Sequence, residues 1–200
     1  MKEKQTNNLF PVFLKLETMG VLIVGGGKVG LEKLQAILLN APEANIRLTA
    51  TVICPEIRAL AHGHRNVELN ERVFLPDDVD GADIVIIAID DPVESQRMRN
   101  LARIRGKLVN VADQPALCDF YMGSIVQKGN LKIAISTNGK SPTLAKRMKE
   151  LFYDLIPEQI DEVLGNLERI RADLKGDFAD KVDRLNAITR ELVEKQKKTE

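Results

Sequence analysis

The sequence has no tryptophan, few aromatic residues and only two cysteines, Cys54 and Cys118. Two cysteines so far apart make neither a disulfide framework nor a zinc-binding CxxC pair, which is typical of a protein from a reducing compartment. An excess of charge is also missing, since 29 basic residues balance 29 acidic ones. A nucleic-acid-binding protein needs a basic surface, so this balance argues against a nucleic-acid partner but leaves room for a local basic pocket.

Long hydrophobic runs are absent as well. The longest apolar run covers residues 84–89, far short of the roughly 20 residues that span a bilayer. The first residues, MKEKQTNN, are polar and lack the apolar core of a signal peptide. A hydrophobic content of 44% over 200 residues indicates a globular chain of one domain or one domain with an appendage. We therefore expect a cytoplasmic protein with no membrane partner.

Alternating strand and helix patterns occupy the first half of the chain. A β-branched run at residues 21–24 precedes a glycine cluster, after which apolar residues recur at helical spacing. Further strands are predicted at residues 48–53, 67–74, 84–89 and 108–111. The run 84–89 is apolar at every position, as in a parallel strand covered by helices on both faces. The alternation predicts an α/β fold with a Rossmann-like parallel sheet.

The pattern changes after Asp113. Two short strands are predicted at residues 124–127 and 131–135, followed by a helix from Pro142 to about residue 155. Two amphipathic helical stripes follow, separated by a predicted break at Gly176. We therefore predict a Rossmann domain at residues 1–113, a small α+β dimerisation and substrate segment at 114–149, and a C-terminal helical domain at 150–200.

The glycine cluster has the spacing Gly25-x-Gly27-x-x-Gly30, between a predicted strand and a predicted helix. In a dinucleotide-binding turn the first glycine allows the tight bend, the second admits the pyrophosphate, and the third lets helix and sheet pack closely. Lys28 and Val29 would then lie at the helix N-terminus beside the phosphates. The alternative is a glycine-rich turn that binds no ligand.

Three acidic residues near predicted strand ends are candidates for the cofactor side. Glu56, after Cys54-Pro55, could reach a ribose hydroxyl, which favours NAD over NADP, although Arg58 lies close. The same carboxylate could simply favour a helix N-terminus. Asp90 and Asp91 follow the strand predicted at 84–89 and could contact the cofactor, cap a helix, or do both.

Several further strings resemble one known family, the precorrin-2 dehydrogenases of sirohaem synthesis. The similarity covers residues 9–155, and more loosely the helical tail. The strings that carry it are LFPVF at 9–13, GGGKVG at 25–30, CPE at 54–56, AIDD at 88–91, NVADQPALCDFYMGSI at 110–125 and AISTNGKSPTLA at 134–145.

The resemblance implies that the chain oxidises precorrin-2 to sirohydrochlorin with NAD as hydride acceptor, and that it forms a homodimer. It implies that Gly25, Gly27, Lys28, Val29, Gly30, Pro55, Glu56 and Asp90 contact the cofactor. Asp113 matches the family's catalytic carboxylate, and a base fits a dehydrogenation that releases a proton. From the residues alone, Asp113 could equally be a turn residue.

The same resemblance places Ser124 beside the tetrapyrrole, although Gly123 stands where the family has proline. Residues 136–147 combine hydroxyl groups, a glycine and basic side chains at a predicted helix start, a pattern that could bind carboxylates or simply cap a helix. The candidate substrate contacts are Ser124, Ser136, Thr137, Gly139, Lys140 and Ser141.

Two alternative functions stay open. Some family members also insert ferrous iron, which would make the chain a bifunctional dehydrogenase and ferrochelatase. A different class is a regulatory Rossmann module that senses NAD, although such a module does not need the strings at 110–125 and 134–145. We predict no resident metal site, because His62 and His64 have no third ligand beside them.

Overall fold

A parallel β-sheet forms the centre of the computed structural model, which describes residues 6–173, 181–187 and 189. The sheet has five strands in the order β3-β2-β1-β4-β5, and every adjacent pair is parallel. The strands are β1 (Gly20–Val24), β2 (Asn45–Ala50), β3 (Val67–Glu71), β4 (Ile84–Ile87) and β5 (Leu108–Val111). The order reverses at β1, and ligands of open α/β sheets bind at such a switch point, outside the strands' carboxyl ends.

Helices cover both faces of this sheet. Helices α1 (Lys28–Asn40) and α2 (Pro55–His62) supply side chains to the apolar core on one face, and α3 (Pro92–Ile104) supplies side chains to the core on the other. Alternate residues of β1 enter the two cores, because successive side chains of a strand point to opposite faces. The predicted Rossmann-like α/β fold is confirmed.

Several predicted strand ends are wrong. Strand β2 starts and ends three residues earlier than predicted, and β3 and β4 end earlier than the ranges predicted for them, 67–74 and 84–89. For the end of β2, the physical reason is found in the residues that follow Ala50, the last β2 residue paired with β3. The backbone N–H of Ile53 donates to the Glu71 carboxylate at 3.1 Å, so this residue bonds to a side chain outside the ladder.

The chain continues into a two-stranded sheet and two further helices. Strands β6 (Ser124–Lys128) and β7 (Leu131–Ile135) form a hairpin, and helices α4 (Pro142–Leu155) and α5 (Ile160–Asp173) follow. The described part of the chain divides into two compact units, one formed by residues up to 124 with 136–145 and the other by residues 125–135 with those from 146 onward. The predicted break at Gly176 and part of the second apolar stripe lie outside the described residues, and the predicted domain boundaries stay predictions.

The second unit is held by a buried lysine on β6. Lys128 Nζ donates to the carbonyl oxygen of Ile156 at 2.7 Å and to Glu158 Oε1 at 2.5 Å. The ammonium also lies 4.4 Å from the centre of the Tyr153 ring. These contacts give the Lys128 ammonium a carboxylate, a carbonyl and an aromatic partner, and without partners this charge would be costly to bury. Across the described ranges, no helix combines the length and apolar character needed to cross a membrane.

Candidate cofactor and active site

Three glycines of the turn after β1 have no room for a side chain. Gly25 has a φ of +126°, and a Cβ there would lie 2.2 Å from the carbonyl oxygen of Ala88. A Cβ on Gly26 would lie 2.2 Å from the carbonyl oxygen of Val52, and one on Gly30 would lie 2.1 Å from that of Gly25. The turn is therefore packed backbone against backbone, with the ends of β2 and β4 on its two sides.

Gly27 differs from these three. It is the exposed N-cap of α1, and a Cβ added there would meet no heavy atom within 4 Å. Lys28 is exposed and Val29 is half-buried in the first turn of the helix. An open glycine at the positive end of a 13-residue helix has the shape and the electrostatics of a pyrophosphate cradle. The residues of this turn therefore fit a dinucleotide.

The connection from β2 to α2 lies against one side of the glycine turn. The Cys54 N–H donates to the carbonyl oxygen of Gly26 at 2.9 Å. Pro55 then opens α2, with Glu56 in the first turn, and both are exposed. Their position follows from Pro55, because proline is favoured at the first helical position.

The two aspartates after β4 have different surroundings. Asp91 Oδ1 accepts hydrogen bonds from the backbone N–H groups of Val93 at 3.0 Å and Glu94 at 2.9 Å, so Asp91 is the N-cap of α3. Asp90 is exposed and lies one step nearer the strand. Because Gly25 packs against Ala88, Asp90 follows the strand end that borders the glycine turn.

Asp113 lies beyond the end of the neighbouring strand, β5. The Ala112 N–H still donates to the Ile87 carbonyl at 2.9 Å, so the backbone follows β4 up to this point. Asp113 then turns with a φ of +58° and is exposed. Strands β1 and β5 flank β4, so their ends lie about 10 Å apart across two strand spacings. The structure thus brings Asp113 and the glycine turn to the same edge of the sheet.

The Asp113 loop is closed by Cys118. Its sulfur accepts from the Val111 N–H at 3.3 Å, and its thiol lies 3.2 Å from the Val111 carbonyl oxygen. Burial raises the pKa of the Cys118 thiol, so this thiol stays protonated at neutral pH and remains a donor. Asn110 Nδ2 donates to the Phe120 carbonyl at 2.9 Å, and Asp119 pairs with Arg103. These bonds hold residues 110–120 along the outer edge of β5.

The predicted substrate residues lie on β6 and on the loop before α4. Ser124 is the half-buried first residue of β6. Ser141 Oγ accepts from the Leu144 N–H at 3.1 Å, Thr137 Oγ1 accepts from the Ser141 N–H at 3.2 Å, and Ser136 Oγ accepts from the Asn138 N–H at 3.2 Å. Gly139 and Lys140 are exposed, and Gly139 has a φ of +72°. The loop hydroxyls therefore shape the backbone that presents Lys140.

Sequence reasoning missed three residues that build this edge of the sheet. It gave no role to Gly26, whose packing against Val52 is as tight as that of Gly25 against Ala88. It also missed Glu71 and Cys118. Glu71, at the end of β3, accepts the N–H of Ile53 in the β2–α2 connection, and Cys118 closes the Asp113 loop. Cys118 lies in a string that was singled out, whereas nothing in the local sequence links Glu71 to Ile53.

Comparison with known proteins agrees with this architecture. A family model described as putative NAD(P)-binding matches residues 12–124, and a second, described as sirohaem biosynthesis protein central, matches residues 128–152. The first match covers the parallel sheet, the glycine turn and Asp113. The second covers the turn after β6, β7 and most of α4.

Curated proteins similar to this chain include siroheme synthases. The siroheme synthase of Thioalkalivibrio sulfidiphilus is 34% identical over 173 residues, which is 86% of this chain and 35% of that protein. The siroheme synthase of Psychrobacter cryohalolentis is 35% identical over 181 residues, or 89% of this chain and 33% of that protein. The chain thus spans about a third of the length of these curated relatives.

A solved structure of "SirC, precorrin-2 dehydrogenase" matches with a TM-score of 0.67 and 25% identity, covering 90% of this chain and 89% of that one. The sequence resemblance, the two family models and this structural match agree with one another. The chain therefore belongs to the putative NAD(P)-binding family whose model matches residues 12–124, and it is similar to SirC and to the matched region of the siroheme synthases.

Proposed function

We propose that the protein oxidises precorrin-2 to sirohydrochlorin with NAD, as a step of sirohaem synthesis. The observation that carries the proposal is the placement of an exposed carboxylate, Asp113, at the same sheet edge as the open glycine turn. The structural match to a precorrin-2 dehydrogenase over nearly the whole of both chains supports the choice of substrate.

The glycine turn and its borders would hold the dinucleotide. Gly27 and the N-terminus of α1, with Lys28 and Val29, would bind the pyrophosphate, while Pro55 and Glu56 would border the adenosine ribose. When bound, NAD supplies the acceptor for the hydride that leaves the tetrapyrrole. Asp90, beyond the end of β4, would flank the nicotinamide half.

NAD is preferred to NADP in this proposal. A 2′-phosphate needs a free cation near the start of α2, and Arg58 is the candidate. The Arg58 guanidinium already binds Glu71 Oε1 at 2.5 Å, which partly neutralises it. Glu56 in the first helical turn adds negative charge that repels a phosphate but can accept from a ribose hydroxyl.

Asp113 would act as the general base. Oxidation of precorrin-2 removes a hydride and a proton, and an exposed carboxylate at the edge where nicotinamide and tetrapyrrole meet can accept that proton. Asp113 lies in a turn with left-handed backbone, and the Cys118 contacts with Val111 would hold this turn, and with it the carboxylate, in one position. Preorganisation of this kind lowers the cost of reaching the reactive geometry.

The tetrapyrrole side would be formed by Ser124 and the loop at 136–141. Tetrapyrrole carboxylates can bind Lys140, the Gly139 backbone and the start of α4, while Ser136, Thr137 and Ser141 keep the loop in shape. The positive end of α4 adds to the attraction for carboxylates.

The functional unit is proposed to be a homodimer that pairs through residues 114–149. Helix α4 begins in this segment and continues past it, and Leu144, Leu151 and Leu155 on it are all exposed. Their spacing places them along one side of the helix, so the pairing surface would extend from the segment along α4. An apolar stripe of this kind is typical of a surface that packs against another chain.

A second candidate is a bifunctional enzyme that also inserts ferrous iron. The name of the siroheme synthase relatives favours it, since iron insertion completes sirohaem. Insertion of iron into supplied sirohydrochlorin without NAD would distinguish it from a dehydrogenase alone. NAD binding without any tetrapyrrole chemistry would instead support a regulatory module.

The proposal is tested by an anaerobic assay with enzymatically generated precorrin-2. We expect the absorbance of sirohydrochlorin to develop with NAD and protein together, and not when either is omitted. Development with NADP at equal efficiency would contradict the cofactor preference. No development with either cofactor, while NAD still binds, would refute the dehydrogenase function.

A further inference from the structure

The connection between β2 and α2, residues 51–54, is the wall of the glycine turn on the β2 side. The Cys54 N–H donates to the Gly26 carbonyl at 2.9 Å. The Val52 carbonyl oxygen lies so close that a Cβ on Gly26 would be 2.2 Å from it. A shift of residues 51–54 would therefore displace Gly26, which directly precedes Gly27, the open N-cap of α1.

A side chain from another strand holds this wall. Glu71 is the last residue of β3, and its Oε1 atom accepts the Ile53 N–H at 3.1 Å and pairs with Arg58 Nη2 at 2.5 Å. Ile53 is 4% exposed, and its N–H lies past the last paired residue of β2. The Glu71 carboxylate thus replaces the strand partner that the ladder no longer supplies.

We propose that Glu71 is a positioning residue for the cofactor: through the Ile53 N–H it fixes residues 51–54 against Gly26, and so sets the dinucleotide-binding turn. The inference rests on the proposed function, because it assumes that this turn binds NAD. Glu71 acts through the wall, so its loss changes the affinity for NAD and leaves the chemistry at Asp113 intact.

The physical basis is the ordering of a short connection. Residues 51–54 must leave a strand and start a helix within four positions, and few backbone bonds define that path. A bond from Ile53 to a carboxylate is charge-assisted and stronger than one to a neutral acceptor. Without the acceptor, the connection samples other conformations, and NAD must order it again on binding at a cost in affinity.

The experiment compares two substitutions at one position with a matched control. Glu71→Ala removes the acceptor, whereas Glu71→Gln keeps an amide oxygen where the Ile53 N–H can donate. Glu68→Ala is the control, since Glu68 is an exposed acid of the same strand that accepts from Asn70 Nδ2 at 2.9 Å. NAD dissociation constants are measured by titration calorimetry, and kcat and KM for NAD by precorrin-2 turnover.

Glu71→Ala is expected to raise the NAD dissociation constant about fivefold, within the range for residues that act on a site without touching the ligand. KM for NAD rises in parallel, while kcat at saturating NAD stays unchanged. Glu71→Gln recovers most of the affinity, and Glu68→Ala binds NAD like the unsubstituted protein. This separation of KM from kcat, with rescue by glutamine, is not produced by general loss of stability.

Three results would overturn the inference. NAD could bind Glu71→Ala as tightly as the unsubstituted protein, glutamine could fail to rescue, or kcat could fall with KM unchanged. Failure of the proposed function looks different, because the unsubstituted protein would then not bind NAD or not turn over precorrin-2. In that case the assumption that the glycine turn binds NAD for precorrin-2 oxidation would be wrong, and the inference about Glu71 would be wrong with it.

Discussion

Replacement of Gly27 by alanine separates cofactor binding from folding. Gly27 is the one glycine of the described Gly25–Gly30 turn at which an added Cβ meets no heavy atom within 4 Å. Its φ of −93° is ordinary for any residue, so alanine causes no backbone strain. The protein should therefore tolerate the methyl group, and only an approaching ligand should encounter it.

The magnitudes of the two effects differ clearly. Alanine is a poorer N-cap than glycine by about 0.5–1 kcal/mol, while it restricts the unfolded chain by about 0.4–1 kcal/mol in the opposite direction. The free energy of unfolding should then change by no more than about 0.5 kcal/mol. A methyl group forced against a close-packed pyrophosphate costs about 1–3 kcal/mol, which weakens NAD binding by roughly fivefold to 150-fold.

Two measurements check this reasoning, urea unfolding for stability and titration calorimetry for NAD. The matched variant is Gly26→Ala, whose Cβ would lie 2.2 Å from the Val52 carbonyl oxygen. That variant should be destabilised by about 2 kcal/mol or more, because backbone must move to admit the methyl group. Unchanged NAD affinity in Gly27→Ala would refute the placement of the pyrophosphate at this turn.

Three further predictions concern the rest of the fold and the site. Asp113→Asn should keep NAD binding, since asparagine tolerates the left-handed backbone, and lose about 10²–10⁴ in kcat; near-normal turnover would remove Asp113 from the mechanism. Cys118→Ala should lower kcat more than NAD affinity, because it frees the Asp113 loop; equal losses in both would argue against that role. Asp78→Asn should cost about 2 kcal/mol in urea unfolding, since the buried carboxylate binds Arg72 through both oxygens; an unchanged unfolding midpoint would contradict it. The Arg72 guanidinium holds the pKa of Asp78 below its usual value of about 3.9, so its stabilisation is complete above that pH and is lost as the pH falls through the lowered pKa.

The sheet could be predicted because its signals are local. Strand β4 is apolar at every position and is buried on both faces, as a parallel strand between helix layers must be. The glycine spacing after β1 likewise predicts a tight turn before α1, because residues with a Cβ do not fit such close backbone contacts. These features depend on neighbours within a few residues.

The end of β2 could not be predicted, because its cause is distant in sequence. The residues at 48–53 predicted a strand that ends at Ile53, but Ile53 donates its N–H to Glu71, 18 positions further along the chain. The same distance hid Glu71 as a candidate site residue. Asp91 was ambiguous between cap and cofactor contact until its bonds to Val93 and Glu94 showed that it caps α3.

The most direct test of the central claim is the stoichiometry of one anaerobic reaction. Precorrin-2 and NAD are mixed with the protein, and NADH and sirohydrochlorin are measured in the same sample over time. Oxidation of the tetrapyrrole by hydride transfer predicts that the two products accumulate in equal amounts and at the same rate. Sirohydrochlorin formed without matching NADH, or no product at all from protein that binds NAD, would contradict the claim.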